Sequence, residues 1–170
     1  MKATDVIADG FERIHEIVHE AVEGLSAEQL AARVDPAANS VTWLVWHLTR
    51  VQDDHVADAA EREQVWLSQG WAARFALGLP TGSTGYGHTA RQAGSVRVDS
   101  GELLLGYFDA VHEQTQGFVR GLADADLDRV VDEHWDPPVT LGARLVSVLA
   151  DALQHAGQAS FVRGVLERRR

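Results

Sequence analysis

Four stretches of this chain place apolar residues three or four positions apart, and this periodicity constrains the fold more than any other feature of the sequence. The most regular stretch lies near the C-terminus and carries Leu141, Leu145, Val148, Ala152, His155, Ala159, Val162 and Leu166. Such spacing gives a helix a narrow apolar stripe, which is buried when it packs against another helix. The sequence therefore predicts an all-α protein, folded as an antiparallel four-helix bundle.

Capping residues and chain breaks set the expected helix boundaries. Ser40 and Ser100 are suitable N-caps, and Ser26 with Gln29 has the pattern of a capping box for a short helical turn. The long helices are expected near residues 3–24, 40–62, 101–121 and 140–168. Because 170 residues are enough to bury a sizeable core, we expect residues 1–170 to form a single domain.

The expected second and third helices are joined by a long crossover, which inside a compact domain is usually functional or flexible. Its first part, EQVWLSQGWAARFAL, is expected to form a short helix carrying Trp66, Trp71 and Phe75. The remainder is rich in glycine, serine and threonine. The chain has five tryptophans, and Trp66 and Trp71 lie near this irregular connection. Exposed aromatic side chains often mark interfaces, so we predict a homodimer.

Charge and composition exclude several classes of function. The formal net charge is −10, and an acidic protein repels phosphate backbones, so we expect no nucleic-acid partner. The absence of cysteine excludes disulfides, thiolate metal ligands and a cysteine nucleophile. The N-terminal residues lack the apolar core of a signal peptide. No run approaches the roughly 18 apolar residues of a membrane span. We therefore expect a cytoplasmic protein with no membrane partner.

Asp151 and His155 are the first candidates for chemistry. They lie four residues apart on the expected fourth helix, so their side chains occupy neighbouring turns of one face. A buried carboxylate is costly unless it is paired or coordinates a cation. An acid and an imidazole one turn apart can chelate one ion. The alternative is a local hydrogen bond between them, and on spacing alone this alternative is more frequent.

His47 is the third candidate ligand, and His55 competes with it. His47 flanks the apolar stripe of the second helix, with Asp54 and Asp58 on the same flank as candidates to hold its second ring nitrogen. The alternative is an ordinary, partly buried histidine. His55 lies eight residues further on, which is about 12 Å along a helix. Two imidazoles at that separation barely reach one ion, so we prefer His47 as the ligand. His55 then lines the pocket or replaces a water.

The other histidines and the nucleophile motifs give weaker signals. His15 and His19 are four residues apart but lie beside several glutamates, so they are interpreted as a solvated face, with an adventitious surface metal site as the alternative. His88 lies beside Tyr86 in the glycine-rich crossover. No Gly-x-Ser-x-Gly motif is present, and no side-chain nucleophile stands out.

Three segments together resemble the DinB-like superfamily. They are SVTWLVWHLTRVQDDHV on the second helix, TGYGH in the crossover, and VTLGARLVSVLADALQHAGQASFVRG on the fourth helix. The superfamily includes the YfiT-like metal-dependent bundles and the N-terminal domain of mycothiol-dependent maleylpyruvate isomerase. The resemblance covers nearly the whole chain in helix order. It is most specific at the Trp/His-Leu start of the second helix and at His-x-Gly-Gln followed by an arginine on the fourth.

The resemblance implies a four-helix bundle that holds a divalent ion between its second and fourth helices. It assigns His47 and His155 as ligands, together with Asp151, where many members have a histidine and the isomerase-like branch usually has a glutamate. Zinc is the expected ion, with nickel, iron and manganese as alternatives. In some members the chemistry is a thiol-dependent transfer or isomerisation, so a low-molecular-weight thiol such as mycothiol is the implied cofactor.

These observations lead to three hypotheses for function. The first is a metal-dependent enzyme in which a small-molecule thiol attacks an electrophilic substrate, with His55, Tyr86 and His88 as the candidates to position or protonate it. The second is a non-catalytic bundle that binds a metal or ligand in a stress response. The third is an interaction protein without an ion. The sequence favours the first.

Overall fold

The structure, a computed structural model, describes residues 1–169, and its four long helices pack as an antiparallel bundle. The helices are α1 (Ala3–Val22), α2 (Ala27–Ala31), α3 (Val41–Ala59), α4 (Val65–Ser68), α5 (Trp71–Phe75), α6 (Ala90–Ser95), α7 (Gly101–Arg120) and α8 (Leu141–Arg168). The long helices α1, α3, α7 and α8 begin and end within three residues of their expected bounds. The predicted fold class is confirmed.

Side-chain caps explain where several of these helices begin. The hydroxyl of Ser26 accepts a hydrogen bond from the Gln29 amide, and the Gln29 side chain accepts one from the Ser26 amide, which is the expected capping box. At the start of α3, the Ser40 hydroxyl accepts from the Trp43 amide at 3.1 Å. Ser100 occupies the N-cap position of α7 but makes no capping hydrogen bond through its side chain.

The long helices and the crossover together bury the first half of α3 on all sides. Both α1 and α3 pack against α7 and α8, so α1 and α3 lie on opposite corners of the bundle. The crossover that follows α3 covers the face of α3 that α7 and α8 leave open. As a result, every residue from Val41 to Arg50 is buried. Polar side chains on this part of α3 therefore need partners inside the protein.

The first part of the crossover forms two short helices, α4 and α5, rather than one. Gly70 separates them, because its φ of +72° is a left-handed conformation that glycine adopts readily. Trp66 and Trp71 are only 5% and 6% exposed, so the prediction that they are exposed is wrong. Both pack against Tyr107, with ring centroids 5.0 and 5.8 Å away. Their burial removes the observation that motivated the homodimer.

A fully buried polar network fastens the crossover to α3. The Asp53 carboxylate accepts hydrogen bonds from the backbone amides of Val65 and Trp66, each at 2.8 Å, and from the Tyr107 hydroxyl at 2.8 Å. Arg50 lies 3.6 Å from the same carboxylate and donates to the Tyr107 hydroxyl at 3.2 Å. The aspartate therefore serves as the N-terminal cap of α4, while the arginine balances its charge.

The same arginine also holds the later part of the crossover. Arg50 donates from Nε to the backbone carbonyl of Ser83 at 3.2 Å, and its guanidinium lies 5.0 Å from the centroid of the Trp66 ring. The Trp66 indole in turn donates to the backbone carbonyl of Thr81 at 3.0 Å. These bonds hold residues 81–83 against α3, and the next residues then lie over His47.

The connection between α7 and α8 contains short elements that helical periodicity did not predict: a 3-10 helix (Asp124–Asp128) and two antiparallel strands, β1 (Val130–Asp132) and β2 (Val139–Thr140). Val130 pairs with Thr140, and Asp132 pairs with Val139. Among residues 1–169, no helix combines the length and the apolar character that crossing a membrane requires.

Replacing Asp53 tests the role of the buried network. Asp53→Ala leaves the Arg50 charge buried without its counter-ion, so we expect the free energy of unfolding to fall by about 3–5 kcal/mol. Asp58→Ala is the matched control, because Asp58 lies on the exposed side of the same helix and a surface change costs only about 0.5 kcal/mol. Urea denaturation measures both. Equal losses in the two variants would contradict this role.

Candidate metal centre and adjoining cavity

Three side chains from α3 and α8 converge at the helix interface: His47, Asp151 and His155. One potential ligand atom from each lies within 4.8 Å of the others. The His47 and His155 rings are 4.7 Å apart between centroids and nearly perpendicular, at 78°. The Nε2 atom of His155 lies 3.5 Å from Oδ1 of Asp151. Asp151 and His155, which are one turn apart on α8, thus lie beside His47 of α3.

The Nδ1 atom of each histidine points away from this centre to an oxygen acceptor. His47 Nδ1 donates to the backbone carbonyl of Thr84 at 2.5 Å. His155 Nδ1 lies 3.2 Å from the side-chain oxygen of Gln158. A proton on Nδ1 of His47 leaves the Nε2 lone pair of that ring free, whereas Nε2 of His155 faces the Asp151 carboxylate. Outer hydrogen bonds of this kind orient a metal-binding imidazole and fix its tautomer.

The acidic residues proposed to hold the second nitrogen of His47 have other partners, and that expectation is wrong. Asp54 accepts a hydrogen bond from the Gln64 side chain at 2.7 Å. Asp58 lies 3.6 Å from the guanidinium of Arg144. A backbone carbonyl takes this role instead, because the crossover folds directly over His47. No side-chain pattern marks a backbone acceptor in the sequence.

Burial and neighbouring charges shift the pKa of each of the three side chains. Burial lowers the pKa of His47, whose ring stacks on Trp43 with centroids 4.6 Å apart. The hydrogen bond to Asp151 raises the pKa of His155. Burial disfavours the charged form of Asp151, but the hydrogen bond and charge of His155 outweigh it and lower the pKa of this carboxyl. A neutral His47 and an ionised Asp151 are the forms that bind cations.

One carboxylate oxygen of Asp151 indicates that these three side chains suit a cation. Its Oδ2 atom is buried and has no hydrogen-bond partner among the residues that the structure describes. An unpaired, buried carboxylate oxygen is costly, and coordination of a cation is one way to remove that cost. Two imidazoles and one carboxylate are also a donor set of catalytic zinc sites, in which a further position stays open. The three residues therefore fit a divalent ion.

A cavity of about 430 Å³ adjoins this group, a volume within the range of small-molecule sites. Its lining consists of His47, Val51, Asp54, His55, Thr84, Tyr86, Ser147, Val148 and Asp151. His55 is half-buried, and its Nδ1 accepts a hydrogen bond from Arg144 at 3.1 Å, so its other nitrogen carries the proton. Tyr86 lies at the rim and is 93% exposed.

His88, the third candidate for substrate contact, is not in the lining of this cavity. Its Nδ1 accepts a hydrogen bond from the Trp43 indole at 3.2 Å, and its Nε2 lies 3.0 Å from the Ser83 hydroxyl. Its ring also stacks near Trp46, with centroids 5.9 Å apart. Both nitrogens are therefore engaged in fastening the crossover to α3.

Gly85 is a residue of the site whose importance sequence reasoning missed. Its φ is +93°, and a Cβ atom built on it would lie 2.9 Å from Nδ1 of His47 and 3.0 Å from the Trp46 ring. Only glycine allows the crossover to approach α3 this closely. The signal was present in the pair of glycines of the TGYGH motif, since glycine in a functional loop often marks a close backbone approach.

Known proteins that are similar to this chain indicate its family and its fold. Residues 7–168 match the family model described as mycothiol-S-transferase. A crystal structure described as the conserved protein of locus from Enterococcus faecalis is 34% identical in sequence and superimposes with a TM-score of 0.89. The match covers 96% of this chain and 96% of that one. Among curated proteins, none matches significantly.

Alanine substitutions at the two glycines of the TGYGH motif distinguish the effect of the close approach to α3 from the effect of backbone strain. Gly87 also has a positive φ, +72°, but a Cβ there would meet nothing within 4 Å. Gly87→Ala should cost only the roughly 1–2 kcal/mol of left-handed backbone. Gly85→Ala should cost more and should weaken the bond from His47 to Thr84. Urea denaturation and the ¹⁵N NMR shift of His47 Nδ1 measure these effects. Indistinguishable variants would refute the close approach.

Proposed function

The chain belongs to the mycothiol-S-transferase family, and from this premise we propose that it is a divalent-metal-dependent enzyme. It transfers mycothiol, or a related low-molecular-weight thiol, to an electrophilic small molecule. One observation carries the proposal: two imidazoles and a carboxylate with an unpaired, buried oxygen meet beside a cavity of ligand size. We propose that residues 1–170 act as one domain.

In this proposal the ion is held by His47, Asp151 and His155. Zinc is preferred because imidazole and carboxylate ligands with an open position are typical of catalytic zinc. Nickel, iron and manganese are the alternatives, since they accept the same ligand types. When bound, such a cation lowers the pKa of a coordinated thiol, so that the thiolate nucleophile exists at neutral pH.

The residues around the ligands prepare them for this task. Thr84 and Gln158 accept the Nδ1 protons and so keep both imidazoles in the tautomer that presents Nε2. Trp43 stacks on His47 and excludes water from one side of its ring. His88 is proposed as a positioning residue, because it acts on the site through Trp43 and the crossover rather than through the substrate.

The cavity supplies the groups that contact the electrophile. During transfer the thiol proton is released to water, the sulfur forms a bond to the electrophilic carbon, and the leaving group departs with its electron pair. Because Nδ1 of His55 accepts a hydrogen bond from Arg144, the His55 proton is on Nε2. His55 is therefore placed to donate a hydrogen bond to the departing group. Tyr86 at the rim is the second candidate donor.

The thiol and the chain itself suit a reducing compartment. Low-molecular-weight thiols stay reduced in the cytosol, and the chain has no cysteine that would form a mixed disulfide with them. A cytoplasmic location is therefore part of the proposal.

The homodimer also stays part of the proposal, with the outer face of α8 as its interface. Val146, Leu153 and Phe161 are 57%, 52% and 64% exposed. Spacings of seven and eight residues place them on one side of the helix. Ala150 and Gly157 lie between them and are also exposed, which permits the close approach of another helix.

Two histidine variants test the assignment of the ion's ligands. His155→Ala should reduce zinc affinity by more than the roughly 10–100-fold that loss of an outer-shell partner costs. His55→Ala should leave most zinc bound and mainly reduce the rate of transfer. His134→Ala is the control, since its side chain is 95% exposed. Metal analysis of protein purified without a histidine tag measures these effects. Loss of zinc in His55→Ala but not in His155→Ala would reverse the assignment.

Activity separates a transferase from a protein that only binds metal. The assay follows mycothiol and a chlorodinitrobenzene electrophile by absorbance. Treatment with a chelator should abolish transfer, and added zinc should restore it. A protein that binds zinc through His155 but never transfers the thiol would instead be the non-catalytic metal-binding protein.

Light scattering tests the dimer. Leu153→Glu places a charge at the centre of the proposed interface on α8 and should convert a dimer to a monomer at micromolar concentration, because burying an unpaired charge is costly. Leu67→Glu is the matched control, since Leu67 is 46% exposed on α4. A wild-type chain with the mass of a monomer would refute the dimer.

A further inference from the structure

A second group of histidines and acids lies across the bundle from the first, between α1 and α7. Oδ1 of Asp109 on α7 is 3.0 Å from Nε2 of His15 and 2.7 Å from Nε2 of His19, both on α1. Their potential ligand atoms all lie within 4.8 Å of one another. The interpretation of these histidines as a solvated face is therefore wrong, because their side chains are 28% and 25% exposed and face α7.

His15 also belongs to a neighbouring set on the same interface. A potential ligand atom of His15 lies within 4.8 Å of one from Glu12 and one from His112. The rings of His19 and His112 each lie 4.4 Å from that of His15 between centroids. The Nε2 atom of His112 is 3.3 Å from the Glu12 carboxylate. Three imidazoles and two carboxylates thus surround a single small region.

Two features of these histidines resemble those of a metal site more than those of a simple hydrogen-bond cluster. Nδ1 of His19 lies 3.0 Å from the carboxylate of Glu23, which is the outer contact that orients a metal-binding imidazole. Nδ1 of His112 is buried and has no hydrogen-bond partner among residues 1–169.

We propose that His15, His19 and Asp109 form a second divalent-cation site, which joins α1 to α7 and takes a borderline ion such as zinc or nickel. Glu12 and His112 are additional donors around the shared His15. Imidazole and carboxylate donors suit these ions rather than calcium or magnesium, which prefer oxygen ligands. The site is open to solvent through Asp109, whose side chain is 45% exposed. Because it bridges two helices, a bound ion stabilises the folded state.

This site does not depend on the proposed transferase activity, and the experiment removes the first site. In a His47→Ala/His155→Ala background, equilibrium dialysis against zinc followed by metal analysis should give one zinc ion per chain. Adding His19→Ala should lower that value to background, whereas adding His134→Ala, the exposed control, should leave it unchanged. Zinc should also raise the Tm of the background variant, and His19→Ala should abolish that rise.

Asp109→Asn provides a second variant that preserves size and removes only the carboxylate charge. In otherwise wild-type protein it should lower the zinc content by one ion per chain without reducing thiol transfer. Circular dichroism at each step establishes that the variants are folded. The proposal is overturned if the background variant binds no zinc, or if His19→Ala and Asp109→Asn bind as much zinc as their parents. Either result would leave these residues as a hydrogen-bonded contact between helices.

Discussion

The buried ion pair between Arg50 and Asp53 is the interaction on which the rest of the structure depends. Both side chains are at most 2% exposed, so their charges must be satisfied by each other and by nearby dipoles. Asp53 accepts further hydrogen bonds from the start of α4 and from the Tyr107 hydroxyl, and Arg50 gives one to the carbonyl of Ser83. A long crossover has many conformations to lose, and these polar contacts select the one that covers α3.

The conformation in which the crossover is held determines the chemistry of the site formed by His47, Asp151 and His155. Once residues 81–83 are held by the ion pair and by Trp66, the next carbonyl, that of Thr84, lies against His47. Glycine at position 85 permits this approach. The imidazole is consequently buried, held in one tautomer and deprotonated more readily than an ordinary histidine. The network thus links the Arg50–Asp53 ion pair to the ligand geometry of His47 on the same helix.

The two histidine groups lie at different interfaces of the bundle and differ in how their carboxylates are satisfied. At the α3–α8 interface, Asp151 leaves one buried oxygen without a partner, beside a cavity that admits a small molecule. At the α1–α7 interface, one oxygen of Asp109 contacts two imidazoles, and the side chain is open to solvent. The first arrangement suits chemistry on a bound ligand, and the second suits a connection between helices.

The sequence by itself determined the four long helices and the pairing of Asp151 with His155, because periodicity and four-residue spacing are local properties of one helix. Resemblance to a family was needed to add His47 from another helix. Only the tertiary structure decided the burial of Trp66 and Trp71, the role of the Thr84 carbonyl, and the meeting of His15 and His19 with Asp109. These contacts join residues far apart in the chain, and backbone acceptors leave no side-chain pattern. They depend on how helices and crossover pack together, which local spacing does not encode.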